Sequence, residues 1–325
     1  MDKLLVVVGP TAVGKTELAL HLAKKLNGEL VSADSRQVYK DLNIGTGKDV
    51  PLGSHPQNVN GFPVYQIDNI PVWGYDLVDA QNEFNVSQYV AAAKEIINFI
   101  WEKHKLPILV GGTGFYIEAL IKGIDTMDIK PNKSLRKQLE TMEVTELFEI
   151  LARLDATKAA SLNSSDKKNS VRLVRAIEVA DANIRGKKMN RNVKPLEADV
   201  LKVGVVMSKE KHKEIISRRV HARVEDGIEQ EIKDLLDRNV NWKDHSMSSL
   251  GYKEWKEYFS GKKTRNDVIE EWIQDECKYA KRQLTWFKRD KQINWYDPFE
   301  KNYLKKVEEL AQKWYPSTKD ENTKD

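Results

Sequence analysis

Apolar and polar positions along the chain switch between two rhythms. Residues 4–8, Leu-Leu-Val-Val-Val, form an unbroken apolar run of strand length, and residues 17–26 repeat apolar side chains at helical spacing. Residues 28–34 read as a second buried strand that ends in a carboxylate, Asp34. In residues 86–103, Val86, Tyr89, Val90, Ala93, Ile97 and Ile100 share one helical face; residues 106–110 return to a buried strand, and a glycine turn leads into a helix ending near Lys122. Strands of this kind alternating with amphipathic helices predict an α/β fold around a parallel sheet. The rhythm stops between Asp125 and about Asp199. Helices are expected there at residues 134–142, 144–154 and 171–184, broken by Pro131 and by the polar run 163–166. Residues 200–207 restore a strand, so the helical block reads as an insertion within one core. Residues 215–227 and 267–287 follow as helices, and 293–296 as a last edge strand. The expected layout is a discontinuous core, 1–125 and 200–315, a helical insertion, 126–199, and a disordered tail, 316–325. Residues 49–70, rich in Pro, Gly, Asn and Ser, read as a mobile surface segment with a short strand at 64–67; residues 73–78 read as a weak strand.

Composition narrows the class. The 325 residues are 40% apolar and 31% charged, enough for an ample core without covalent staples. A single cysteine, Cys277, excludes a disulfide framework and a cysteine-based zinc site. No apolar run approaches the ~18 residues of a membrane span. A core strand begins within a few residues of Met1, so no leader is expected and the location reads as cytoplasmic. Net charge is only +4, but basic residues concentrate at 167–194, including Arg185, Lys187, Lys188 and Arg191, and again at 278–291. Such clusters suit an anionic partner.

The strongest chemical signal lies between the first strand and the first helix. Gly9-Pro10-Thr11-Ala12-Val13-Gly14-Lys15-Thr16 is G-x-x-x-x-G-K-T in strand–loop–helix context, a phosphate-binding P-loop that reads at sight as an ATP site. Its backbone N–H groups and the helix N-terminus would hold a polyphosphate, with Lys15 as a point charge and Thr16 as a ligand for Mg²⁺. The fold class is therefore a P-loop NTPase-like parallel sheet core with an inserted helical subdomain. The acidic residue that usually ends a second strand in nucleotide hydrolases is missing, because that strand runs into Gly111-Gly112-Thr113. Thr16, water and Asp34 are left to hold a metal.

Other candidates each carry a plain alternative. Asp34, on the same sheet rim as the P-loop, is either a base or metal ligand or merely an N-cap. Arg219 and Arg223, four apart, could clamp a leaving pyrophosphate or pair on the surface with Glu225 or Asp226. Arg172 and Arg175 share a side of their helix, as a phosphate grip or a solvated face. The glycines at 111–114 bring donors to the rim or serve packing alone. Lys281, Arg282, Trp286, Lys288 and Arg289 interleave basic and aromatic side chains as single-stranded nucleic acid prefers, while Trp286 and Phe287 could equally anchor a core.

Together these stretches resemble the tRNA isopentenyltransferase (tRNA dimethylallyltransferase) family, nearly end to end and in the family's order. The runs that carry the likeness are 9–16, 32–39 with 44–46, 109–113 with Tyr116, 172–179, Arg219 with Arg223, 251–254 and 281–287. Four stretches depart from it: Asn43-Ile44-Gly45-Thr46-Gly47-Lys48-Asp49 stands for the usual Asp-Ile-Gly-Thr-Ala-Lys-Pro, Trp73-Gly74-Tyr75 for a histidine-bearing segment, residues 49–70 run longer than usual, and Ser248-Ser249 replaces a site where an Arg or similar residue is common. The resemblance implies transfer of a dimethylallyl group from dimethylallyl diphosphate to N6 of the adenine on the 3′ side of the anticodon. It implies that the P-loop, Arg219 and Arg223 bind the diphosphate, that Asp34, Thr16 and Arg223 are catalytic, and that Mg²⁺ sits on Thr16. It places the tRNA anticodon stem-loop against Asp34, Ser35, Arg36, Gln37, Thr113, Arg136, Val171, Arg172, Leu173, Val174, Arg175, Ser248, Gly251, Tyr252, Lys253, Lys281, Arg282, Gln283, Trp286 and Lys288. Nothing suggests a dimer, so a monomer is expected. Transfer to free AMP, ADP or ATP, and a small-molecule P-loop kinase, are the competing readings.

Overall fold

The computed structural model describes residues 1–51, 53–124, 126, 129, 131–186 and 195–316. Its strands are β1 (Lys3–Val8), β2 (Gly28–Ser32), β3 (Gln57–Val59), β4 (Phe62–Ile67), β5 (Ile70–Trp73), β6 (Leu106–Gly111), β7 (Asp199–Val205) and β8 (Ile293–Tyr296). Its α-helices are α1 (Lys15–Leu26), α2 (Val86–Glu102), α3 (Gly114–Lys122), α4 (Lys133–Leu139), α5 (Val144–Leu154), α6 (Ala156–Ser161), α7 (Ser170–Ile184), α8 (Lys209–Glu225), α9 (Ile228–Asp237), α10 (Lys256–Phe259), α11 (Arg265–Phe287) and α12 (Tyr303–Trp314). None of the described helices is long and apolar enough to cross a membrane.

The strands form one sheet in the order β3-β4-β5-β2-β6-β1-β7-β8. From β5 to β8 every neighbour is parallel, with Val8 opposite Gly111, Ser32 opposite Val110 and Val8 opposite Gly204. β1 and β6 are apolar almost throughout, and β2 is buried along its length although it carries Glu29 and Ser32, as helices on both faces of a parallel sheet require. This arrangement aligns the carboxyl ends of β1, β6 and β2 side by side, the rim where ligands of open α/β sheets bind.

The segment 49–70 departs from the sequence reading. The expected short strand at 64–67 lies within β4, but the rest is no surface loop: β3, β4 and β5 form an antiparallel meander that extends the sheet edge, with Val64 facing Trp73 and Tyr65 facing Val72. Pro63 and Pro71 pair opposite Asn58 and Gln66, so each short strand carries a residue that weakens any strand signal. Lys48 anchors the loop before the meander. Its buried ammonium donates to Asp76 Oδ1, to Tyr39 O at 2.7 Å and to Asn43 Oδ1 at 3.1 Å.

Two compact units emerge. One comprises Met1–Ile121 with Leu196–Asp325, the other Lys122–Pro195. The second unit is helical and has its own core of Leu139, Leu147, Leu151, Ala159, Leu173, Ile177 and Ala180. Lys187, Lys188 and Arg191 of the basic loop, and the expected tail beyond Pro316, lie outside the described residues.

Candidate active site

The P-loop is shaped by three contacts. Gly9, at φ 151°, runs so close to the Val205 carbonyl that a Cβ would strike it. Gly14, at φ 83°, lies in the left-handed region as the N-cap of α1, a conformation that favours glycine. The Gln283 side chain, reaching from α11, accepts from Thr11 N–H at 2.8 Å and donates to Gly112 O at 3.0 Å. One amide thus ties the phosphate loop to the glycine turn after β6. His212 Nε2 adds a contact to Thr11 O at 2.7 Å, and Lys15 Nζ donates to Pro10 O.

The neighbouring strand end presents Asp34. Ala33 N–H donates to Val110 O at 2.8 Å and Thr113 N–H to Ala33 O at 3.1 Å, which fixes the backbone on either side of the carboxylate. Asp34 Oδ1 accepts from Arg36 N–H at 2.8 Å, so it caps the following turn while also lining the cavity. Ser35 N–H donates to Thr113 Oγ1 at 3.0 Å. Gln37 accepts from Ser32 Oγ at 2.9 Å and donates to Gly47 O at 3.1 Å, reaching the loop that forms the far wall.

Between these elements lies a cavity of about 580 Å³, floored by the P-loop and walled by Asp34–Gln37, Gly45–Gly47, the turn after β6 and one face of α11. Lys15, Arg219 and Arg223 all line it. Arg223 donates to Gly45 O at 3.3 Å and to the buried carboxylate of Glu276 at 3.2 Å, with its guanidinium 5.8 Å from the Trp272 ring centre. Burial, and then the nearby Arg219, pull the Lys15 ammonium down to about 8. Burial and the Arg223 charge lower Arg219 likewise. Three cations forced together out of water form a site whose stable state includes an anion.

The structure gathers some of the anticipated residues and turns others away. Thr11–Thr16, Asp34–Gln37, Arg219, Arg223, Ser248, Lys253, Arg282 and Gln283 line the single cavity just described. Arg223 pairs inward with Glu276 in place of the alternative surface pairing with Glu225 or Asp226, and Arg219 lines the cavity beside it. Tyr252, expected on tRNA, is wholly buried and donates to Glu231 Oε1 at 2.5 Å. Gly251 is buried too, wedged 2.7 Å, by its missing Cβ, from Trp272. Leu173 belongs to the core of the helical unit. These three cannot touch a macromolecule; their role is packing. Arg136 and Arg175 both donate to the buried carboxylate of Glu178, and Arg175 also bonds the carbonyls of Thr126 and Ile129 at 2.8 Å each. Arg172 pairs with Asp166 and stays exposed, as does Val171, while Val174 is half-buried. Lys281, Arg282 and Lys288 are exposed on α11; Trp286 is half-buried, edge-on to Phe115 at 6.4 Å, with Arg289 over its ring.

Sequence reasoning missed Glu276 and Tyr279 on α11, and Asp49, all of which line the cavity. A signal existed for Glu276. Glu276, Ala280, Gln283 and Phe287 are the buried stripe of α11, and a glutamate and a glutamine on an apolar stripe mark polar partners within. Attention to the basic residues of the same helix hid it.

A glycine-lined phosphate loop at the carboxyl end of β1, flanked by three converging cations, defines a P-loop α/β protein built to hold a polyphosphate. The family model "IPP transferase" matches residues 37–290, and "Isopentenyl transferase" matches residues 2–59. A tRNA dimethylallyltransferase of Pediococcus pentosaceus is 36% identical over 303 residues, 91% of each chain, and that of Bacillus subtilis is 34% identical over 301 residues, 90% of each. The solved full-length tRNA isopentenylpyrophosphate transferase of Bacillus halodurans superposes with a TM-score of 0.68 at 32% identity over 96% of each chain. A eukaryotic dimethylallyltransferase solved acting on tRNA shares the fold, with a TM-score of 0.77 at 24% identity over 97% of this chain and 79% of that one. The chain belongs to the IPP transferase family.

Proposed function

We propose that this chain transfers the dimethylallyl group of dimethylallyl diphosphate to N6 of the adenine 3′-adjacent to the anticodon in tRNA, releasing diphosphate. The observation that carries the reading is the convergence of Lys15, Arg219 and Arg223 on a P-loop cavity that the Asp34 carboxylate also lines. The P-loop N–H groups, Lys15 and the two arginines bind the diphosphate and stabilise it as the C1–O bond breaks and negative charge grows on the leaving oxygen. N6 forms the new bond to C1, and its proton passes to the Asp34 carboxylate, held in orientation by the Arg36 N–H. A flipped base reaching this pocket from an RNA loop enters past Ser248, Lys253 and Arg282, which form its open side.

A divalent cation, which we take to be Mg²⁺, fits this donor set. The Thr16 hydroxyl opens α1 on the cavity wall and Asp34 faces the same space. Among the described residues no group of three or more His, Cys, Asp or Glu could hold an ion alone. The ion would be shared with diphosphate oxygens, whose charge it neutralises when bound. We read the working unit as a monomer acting in the cytoplasm.

The test is incubation of the purified protein with Mg²⁺, labelled dimethylallyl diphosphate and, in separate arms, undermodified tRNA or AMP. Label in tRNA is expected; label only in AMP moves the acceptor to free nucleotides, and none in either arm sinks the assignment. Asp34→Asn should lose turnover by at least about 10²-fold while retaining tRNA binding. A rate within a few-fold of the parent removes Asp34 as the base.

A further inference from the structure

The loop bearing Gly45 and Gly47 is held by a side chain that lies outside the cavity. Glu231, on α9, accepts from three successive backbone N–H groups: Asn43 at 3.1 Å, Ile44 at 2.9 Å and Gly45 at 3.3 Å. The buried Tyr252 hydroxyl donates to the same carboxylate. The Tyr252 ring packs flat against Gly45, where a Cβ would collide with it, and the missing Cβ of Gly251 lets Gly45 O come within 2.8 Å. The other end of the loop is fixed by Lys48 on Asp76 and Asn43. What the loop then presents is specific. Gly45 O accepts from Arg223 NH1, Gly47 has no side chain where the Arg223 guanidinium lies, and Gly47 O receives Gln37.

We infer that Glu231 is a positioning residue for the reaction. By gathering the Asn43, Ile44 and Gly45 N–H groups it seats the loop that aims Arg223 at the diphosphate. Three convergent donors on one carboxylate resemble an anion nest inverted, with the protein supplying its own anion to set a backbone in place. The consequence is asymmetric. Loss of Glu231 frees the loop and lets Arg223 relax toward Glu276, so the prenyl diphosphate loses a contact that the tRNA never makes. The buried Gly251-Tyr252 pair belongs to this device, and their effect on the reaction runs through Glu231.

The inference rests on the diphosphate reading of the cavity, and its test separates the two. Inorganic pyrophosphate binding is measured by calorimetry on the full chain, together with amide hydrogen exchange at residues 43–45 and steady-state kinetics for both substrates. Pyrophosphate failing to bind the parent protein overturns the cavity reading and this inference with it. With the parent binding, Glu231→Ala should weaken pyrophosphate at least about tenfold and raise KM for dimethylallyl diphosphate in step. KM for tRNA should stay within about twofold, and amides 43–45 should lose protection. Glu231→Gln, which keeps one acceptor oxygen, should recover part of each change. Tyr252→Phe should shift the same quantities less. Equal KM rises for the two substrates, or protection at 43–45 that survives Glu231→Ala, would overturn the positioning role.

Discussion

Arginines meet opposite fates in the two units of this molecule. In the helical unit, Arg136 and Arg175 both close on Glu178, whose carboxylate also takes the Asn132 N–H; burial opposes its charge, but these donors hold it below the usual glutamate range. Every charge there has a partner, and the network ties α4 and the Asn132 backbone before it to α7. In the core, Lys15, Arg219 and Arg223 converge on one cavity; Arg223 pairs with the buried carboxylate of Glu276, and burial pulls the Lys15 ammonium and the Arg219 guanidinium below their usual ranges. The same residue type is mortar in one place and unmet demand in the other. Whether an arginine faces a ligand is therefore told by its partners, which neither its spacing nor its place in a family pattern reveals.

The largest test of that contrast is Arg223→Ala, expected to lower kcat/KM by about 10²–10³-fold, with an added stability cost from the buried Glu276 carboxylate left without its partner. Arg136→Ala should instead cost stability before activity, and a reversal of the two would break the distinction. Next comes Glu178→Ala. It leaves two guanidiniums without their buried partner and should destabilise the helical unit by about 3 kcal/mol, read as lost amide protection in α7, while pyrophosphate binding is unchanged. A third test is pH. Burial depresses Lys15 to about 8, and a bound diphosphate favours the ammonium. Affinity for a non-reacting diphosphate analogue should be highest below pH 8 and decline above it, by at most about tenfold per unit, with protons taken up on binding between 8 and the ordinary 10.5. The free protein shows the opposite sign. Its unfolded state holds the Lys15 proton more tightly, so the Lys15 contribution makes it gain stability over that window. A flat binding profile through pH 9 would remove Lys15 from the charge cluster. The smallest effect belongs to Arg172, which keeps its exposure despite Asp166. Arg172→Ala should weaken tRNA uniformly and reduce the slope of log affinity against log salt by about 1.

How much of this was legible in the sequence follows the same line. Elements with a clean period declared themselves: Val144–Leu154 and Ile293–Tyr296 match the expectation residue for residue, and β1, the P-loop and α1 fall where the glycine–lysine–threonine pattern demands. The β3–β5 meander did not, because its strands are short and two carry proline. α9 and α12 were passed over too, the latter because charge fills it and only Val307 and Ala311 are buried. At the site, the resemblance located the right stretches but could not say which side chains face inward. Gly251, Tyr252 and Gln283 lie in the anticipated motifs and work from beneath the surface. Glu276 lies on a helix read for its cations and Glu231 on the unread α9, and what each carboxylate holds emerges only with the fold.

The junction of the helical unit has one more consequence. Leu196 N–H donates to Leu120 O at 3.0 Å, so the chain that departs after α3 returns to the point it left. Topologically the 74 residues Lys122–Pro195 are a loop with touching ends, and lengthening or shortening such a loop changes its closure entropy only logarithmically. The sheet never has to register what hangs from that point. Evolution could vary this helical unit in size and sequence without re-solving the fold, and a protein engineer could replace it by a short turn and keep the sheet and its cavity.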